Sequence, residues 1–294
     1  MLNHINKEKI NPSRVVLLGG NGFVGQEIFN SLKKENIPTL SISSKDIDLT
    51  QESSVEKLSS LLKESDSLVF LSALTPDKGR GIEAFEKNIK MAIHVAKAIE
   101  IRTVSHLVYL SSDAVFSMGE PLVTEETTPI PEDLYGLMHL TREKLMAMTF
   151  QNTAIIRPTL VYGAKDTHNS YGPNRIRRMA DEKKEITLFG GGEETRDHIL
   201  VTDLAQLILN ILKHKSTGQL NAVTGQSISY FDLAKEIASL YQSVKVTLTE
   251  RKNPITHRHF DNTNVFKCFP SFQFTPLKDG LRIVYDQISK EKIT

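Results

Sequence analysis

The sequence predicts an α/β protein: a doubly wound parallel sheet followed by a smaller C-terminal α/β lobe. Three observations predict it. Short apolar runs alternate with amphipathic helical stretches through the first half of the 294 residues. A glycine-rich loop, Gly19-Gly20-Asn21-Gly22-Phe23-Val24-Gly25, joins the first such run to the first helical stretch. The alternation breaks after Tyr162, and glycine, proline, asparagine and arginine crowd between Gly163 and Arg178.

Taken in order, Arg14 to Leu18 is an apolar run ending in glycine, hence a first strand, and Gln26 to Glu35 has helical spacing. Thr39 to Ile42 is a second, weaker strand. Ser53 to Leu62 is helical, Ser67 to Leu71 a strand, and Ile82 to Ile101 a long amphipathic helix. His106 to Leu110 is a strand, Leu134 to Phe150 a helix and Thr153 to Ile156 a strand. Strands between helices are covered on both faces, so their apolar character is continuous. Beyond the break the pattern predicts a strand at Glu185 to Phe189, a helix at Thr202 to His214, a strand at Gln219 to Val223, a helix at Tyr230 to Tyr241 and a final helix from Leu277. Residues 13–162, with part of 185–214 returning, are expected to form the dinucleotide-binding domain. Residues 163–184 and 215–294 are expected to form a substrate lobe over the sheet's carboxyl edge. The residues before Ser13 read as a polar, unstructured arm.

Composition excludes several classes. Lysine plus arginine count 36 against 35 acids, a net charge of +1, so no global basic field attracts nucleic acid or anionic lipid. The single cysteine, Cys268, leaves no intramolecular disulfide and fits a reducing compartment, as a small core or surface residue. The opening residues lack an apolar core of signal-peptide length, and no run reaches the roughly 18 apolar residues of a spanning helix. A cytoplasmic location is the resulting expectation.

In the glycine loop, Gly19, Gly22 and Gly25 stand at G-x-x-G-x-x-G spacing between strand and helix. Glycines there allow a tight turn and close backbone approach to a pyrophosphate, and the helix start offers unpaired N–H groups to it. An acid ends the second strand where a ribose 2′-hydroxyl is bound. Here the strand runs into Ser43, Ser44 and Lys45, which suit a 2′-phosphate and favour NADP over NAD. Asp48 either lies near the adenine or caps the next helix.

The strand ending at Leu110 runs into Ser111-Ser112-Asp113, where a ligand beyond the sheet's carboxyl edge would meet hydroxyls. Tyr135 and His139 are four apart at the start of a helix and share a face. With Arg157-Pro158-Thr159-Leu160-Val161-Tyr162-Gly163 and Arg196-Asp197-His198-Ile199-Leu200-Val201-Thr202-Asp203, these segments resemble the extended short-chain dehydrogenase/reductase family over nearly the whole chain. That group comprises NAD(P)-dependent sugar epimerases, dehydratases and reductases. The Ser-Asp-x-Val-Phe form is similar to the dTDP-4-dehydrorhamnose reductase branch, and the Arg-Asp-His segment to the epimerases.

The resemblance implies a Rossmann-type nucleotide domain and a set of roles. Tyr135 would donate and accept the proton of a sugar oxygen, Ser112 would hydrogen-bond that oxygen, and His139 and Asp113 would complete the catalytic group. The dinucleotide would contact Gly19, Gly22, Phe23, Val24 and Gly25, then Ser43, Ser44, Lys45 and Asp48, then Ala73, Asn88, Ser111, Tyr135, His139 and Pro158. A nucleotide sugar would be held by Asn174, Arg177, Arg196 and Arg258, since arginine's fork matches phosphate oxygens.

Two departures from the family pattern stand out. Only one acid, Asp113, follows the Ser112 position where dehydratases carry two, which argues against elimination. His139 stands where the family has lysine. A neutral histidine can hydrogen-bond a ribose but stabilises a tyrosinate far less than an ammonium does. On this basis slow turnover is expected, raised by His139→Lys, and a dinucleotide-binding regulatory subunit without catalysis is the alternative. A reductase for a carbonyl other than a sugar is the third reading. His168, His198, His257 and His259 lack metal-site spacing, so no metal is expected. Apolar Ile89, Ile93 and Ala96 permit a homodimer through the helices bearing Asn88 and Tyr135.

Overall fold

The computed structural model describes residues 1–167, 169, 172–252 and 254–291. His168 and Tyr171 fall outside these. The strands are β1 (Leu2–His4), β2 (Val15–Leu18), β3 (Thr39–Ile42), β4 (Ser67–Phe70), β5 (His106–Leu110), β6 (Thr153–Pro158), β7 (Leu160–Tyr162), β8 (Glu185–Phe189), β9 (Thr195–Leu200), β10 (Ser216–Ala222), β11 (Ser227–Ser229) and β12 (Lys245–Thr249). The α-helices are α1 (Phe23–Lys34), α2 (Ser54–Leu61), α3 (Ile82–Ile101), α4 (Leu134–Thr149), α5 (Pro173–Arg178), α6 (Val201–His214), α7 (Tyr230–Ala238), α8 (Thr263–Cys268) and α9 (Leu277–Glu291).

A seven-stranded sheet runs in the order β1-β10-β6-β5-β4-β2-β3. All neighbours are parallel except β1, which pairs antiparallel with β10. Strands β2, β4 and β6 are buried throughout, because helices cover both faces. Val15, Leu17, Val69 and Val108 pack one face against Ile28, Leu32, Leu204 and Ile208 of α1 and α6. Val16, Leu18, Phe70 and Tyr109 pack the other against Leu58, Val95 and Ile99 of α2 and α3. The chain proceeds outward from β2 to β3, then returns to place β4 on the opposite side of β2. This reversal opens a crevice at the carboxyl ends of β2 and β4, the place where doubly wound sheets bind ligands.

The remaining strands form a three-stranded sheet, β11-β9-β7, and a parallel pair, β12-β8. They share an apolar cluster with α5, α7 and α9 that includes Tyr162, Ile186, Leu200, Leu233 and Leu281. Strand β10, expected in the lobe as Gln219 to Val223, instead joins β6 in the large sheet. Its register, Leu220 opposite Ile156, buries the apolar residues that made it legible as a strand.

The amino-terminal arm is a correction to the sequence expectation. Leu2 is buried, and His4 Nε2 donates to Cys268 O (2.9 Å) while its Nδ1 bonds Ser216 Oγ (2.7 Å) and its ring stacks on His214 at 4.4 Å. A three-residue strand carries no readable periodicity; the exposed edge of β10 orders it. Half-buried Cys268 closes that corner. Among the described residues, no helix is long and apolar enough to cross a membrane.

Candidate active site

Helix α1 starts at Phe23, three residues earlier than its periodicity predicts, so its first turn is part of the glycine loop. Gly19 has φ 93°, open to glycine and strained for other residues. A Cβ on Gly25 would lie 2.4 Å from the Gly19 carbonyl oxygen, so only glycine lets the helix sit this close to the loop. A Cβ on Gly22 would meet only that same oxygen, at 3.2 Å, leaving its outer side open. No side chain caps the helix and its first turn holds no acid. The first N–H groups of α1 are thus left for an anion, and a dinucleotide diphosphate fits this cradle. Phe23 is turned away into the junction, its ring near Gly163, while Val24 packs on the sheet.

After β3 the structure adds a carboxylate that the strand-end reading missed. Asp46 accepts from the Ser43 backbone N–H (2.8 Å) and hydroxyl (2.6 Å), which holds its pKa down. Ser44 and Lys45 remain exposed. Asp48 accepts from Thr50 N–H and hydroxyl, so it caps the turn before α2. Asn88 is buried in α3 and clamps Leu74, its Oδ1 accepting from Leu74 N–H (2.8 Å) and its Nδ2 donating to Leu74 O (3.0 Å). That fixes the segment after β4, which includes Ala73. Pro158 is buried at the end of β6.

At the end of β5, Ser112 caps a short 3-10 turn, Asp113–Val115, by accepting from Ala114 N–H at 3.1 Å. Asp133 caps α4 by accepting from Gly136 N–H at 2.8 Å. A Cβ on Gly136 would stand 2.1 Å from Ala114 O, so glycine there permits α4 to press against the Ser112 turn. This contact brings Tyr135 beside the Ser112 turn. Burial, then the nearby Asp113 charge, raise the Tyr135 phenol above its ordinary pKa, so it is protonated at neutral pH. Asp113 is itself raised, chiefly by burial and against the pull of Arg258.

His139 lies edge-to-face on Tyr135, ring centroids 4.7 Å apart, and its Nδ1 bonds the Tyr109 hydroxyl at 2.7 Å. It is 2% exposed, and burial followed by the Arg142 charge hold its pKa well below the ordinary value. Neutral His139 therefore supplies no ammonium-like charge. Its Nε2 is buried without a partner. Ser111 is also bound inward: its hydroxyl donates to Glu143 Oε1 (2.6 Å), and Arg157 grips both Glu143 oxygens (2.8 and 2.7 Å).

The expected nucleotide-sugar residues do not converge on an open face. Asn174 bonds Gly163 N–H and Val161 O with its whole amide. Arg258 is 5% exposed and donates to Asp113 O and Phe116 O, both at 2.8 Å, which braces the turn after Ser112. Arg196 donates to Thr195 O, Thr256 O and Thr256 Oγ1. Buried Arg177 lines a small cavity with Tyr162, Tyr241 and Tyr285. His198 is buried and neutral, lowered to about 3 by desolvation, and His257 and His259 flank Thr195 Oγ1. The residues missed by sequence reasoning are Tyr109, Gly136, Arg142, Ser72 and Asp46. Arg142, seven after Tyr135, carried a readable signal, since i and i+7 share a helix face.

The profile of the NAD dependent epimerase/dehydratase family matches residues 15–223, and the chain belongs to that family. A GDP-L-fucose synthase of Sinorhizobium fredii is 28% identical over 253 residues, covering 76% of this chain and 79% of that one. The GDP-L-fucose synthetase of Naegleria fowleri bound to NADP superimposes with TM-score 0.84 at 15% identity, over 100% of this chain and 99% of the other. The Thermus thermophilus UDP-glucose 4-epimerase in complex with NAD does so with TM-score 0.80 at 16% identity, over 94% and 99%. These likenesses establish the Rossmann fold.

Proposed function

We propose that this member of the NAD dependent epimerase/dehydratase family is a nicotinamide-dependent oxidoreductase or epimerase of nucleotide-activated sugars, with Tyr135 as its acid/base. A nicotinamide dinucleotide, held at Gly19, Gly22 and the first N–H groups of α1, supplies the hydride. Tyr135 donates its proton to the sugar oxygen, and Ser112 orients that oxygen. The observation that supports the reading is the close fit of Gly136 against Ala114 O, which seats the start of α4, with Tyr135, against the Ser112 turn at the carboxyl edge of the sheet. A protonated phenol is poised to reduce a keto sugar; the reverse direction first requires its ionisation.

NADP preference rests on exposed Ser44 and Lys45 alone, because Asp46 holds Ser43. Substrate contacts are assigned to Arg196, which is half-exposed although it also bonds Thr195 and Thr256, ahead of the buried Asn174, Arg177 and Arg258. The test is a fluorescence titration with NADPH and NADH, then a screen of 4-keto and 4-hydroxy nucleotide sugars by absorbance. NADPH is expected to bind more tightly and at least one sugar to turn over; equal affinities overturn the NADP assignment. The neutral state of His139 favours a second reading, a dinucleotide-binding regulatory subunit. Binding without turnover across the whole panel would establish that reading instead.

A further inference from the structure

We propose that Arg142 is the cation of this site: its guanidinium, packed behind Tyr109 and His139, supplies to Tyr135 the positive charge that position 139 lacks, while Tyr109 fixes His139 between them. This rests on the reading of Tyr135 as the acid/base. Arg142 is 0% exposed. Its Nη2 donates to Ser72 O at 2.8 Å, its Nη1 lies 3.7 Å from Met138 Sδ, and its Nε has no partner. The guanidinium carbon stands 4.3 Å from the Phe70 ring centroid and 5.2 Å from that of Tyr109. Among the described residues no carboxylate pairs with it. The adjacent Glu143 is held by Arg157 and Ser111.

A guanidinium stays ionised even when buried, and a buried cation without a counter-ion is otherwise unfavourable. Its neighbours show where a negative charge would form. The Tyr109 ring under Arg142 bonds His139, and the His139 ring abuts Tyr135. When Tyr135 gives up its proton, its O–H bond breaks, an O–H bond forms on the sugar oxygen, and the phenolate remains. The groups acting on that phenolate are Asp113 and Ser112 after β5, Asp133 at the start of α4, and, further along α4, His139 and Arg142. The two carboxylates oppose ionisation; Arg142 favours it. In the proposed arrangement the Tyr109 hydroxyl donates to Nδ1 of neutral His139, and the ring proton then sits on Nε2. Arg142 is a positioning residue as well, since it holds Ser72, whose N and Oγ face Gly19 across the glycine loop.

The test uses the full chain without cofactor, carrying 2,3,5-trifluorotyrosine at position 135, whose phenol ionises several units lower than tyrosine and is followed by fluorine NMR. Its midpoint is expected to rise by about one unit in Arg142→Met and by less than half as much in Arg142→Lys. An unmoved midpoint in folded Arg142→Met overturns the proposal. Should that variant not fold, Tyr109→Phe decides, because it keeps the ring and removes only the hydroxyl. Nitrogen NMR of His139 should show a single Nε2–H tautomer in the native chain and a mixture in Tyr109→Phe; the same spectrum in both overturns the proposal. Neither readout needs a substrate. A panel in which no sugar reacts therefore strikes the proposed function alone, and an unmoved midpoint strikes the Arg142 assignment alone.

Discussion

The two halves of the molecule differ in what their polar residues are free to do. On the sheet side, the start of α1 has no capping side chain, and Tyr135 stands beside the Ser112 turn. In the lobe, Asn174 and Arg258 are turned inward to backbone groups. The sheet side leaves helix N–H groups free for the proposed ligand, whereas these lobe residues brace the loops around it. A residue type matched to phosphate is therefore a weaker guide than its remaining hydrogen-bonding capacity.

The largest expected effect is on the sheet side. Tyr135→Phe should lower turnover by roughly 10²- to 10⁴-fold while leaving NADPH affinity within about twofold. Retention of turnover in that variant would remove the proposed chemistry.

Acid tests both halves at once. His106, lowered to about 4 by burial, and His139, held well below its ordinary value by burial and then Arg142, are neutral in the sheet domain; His198, at about 3, is neutral in the lobe. The unfolded chain protonates all three as pH falls through about 6.5, whereas the folded chain does not. Stability from these groups is thus fully present above about pH 6.5 and is lost progressively down to each group's folded value, about 4 for His106, where the loss reaches about 3 kcal/mol, and about 3 for His198. Asp197, raised to about 6 by burial, acts oppositely over about pH 4–6 and offsets part of this loss. Thermal melts between pH 7.5 and 4.5 should show a falling Tm, and a flat profile would contradict the assignment.

Gly25→Ala should weaken NADPH binding by at least about tenfold, since the added Cβ meets backbone and forces the loop away from α1. An unchanged dissociation constant would show that the loop does not cradle the dinucleotide. Arg258→Met sharpens the contrast between halves. It should lower Tm and kcat, the latter by about three- to tenfold, with KM for the nucleotide sugar nearly unchanged, because it releases the Ser112 turn. A rise confined to KM would restore Arg258 to the substrate.

The smallest effect is expected at the position that looks most deficient in the sequence. His139→Lys, expected from the family pattern to raise the rate, would place an ammonium near Arg142, whose charge already depresses this position. Turnover should change by less than about threefold, and a larger gain should need Arg142 removed as well. A strong gain in the single variant would return the missing-lysine interpretation.

Much of this was legible along the chain. The ends of β3, β5, β8 and α3 agree residue for residue with periodicity, because long apolar runs between turn signals leave little choice of element. The glycine spacing anticipated the close approach of α1 to the loop, and the four-residue step from Tyr135 anticipated its ring contact with His139. The arm at Leu2–His4, the edge strands β11 and β12 and the turn of Gly136 against Ala114 were not legible, because each depends on a partner distant in sequence.

By itself, the order of residues determined most elements of the sheet domain, the family resemblance and the types of group available for chemistry, since those follow from local spacing. Only the tertiary structure decided which groups remain available. Hydrogen-bonding capacity is finite, and burial sets charge. The fold turned Arg258 and Asn174 inward, kept His139 neutral, and enclosed the unpaired Arg142 cation behind the tyrosine it is proposed to serve.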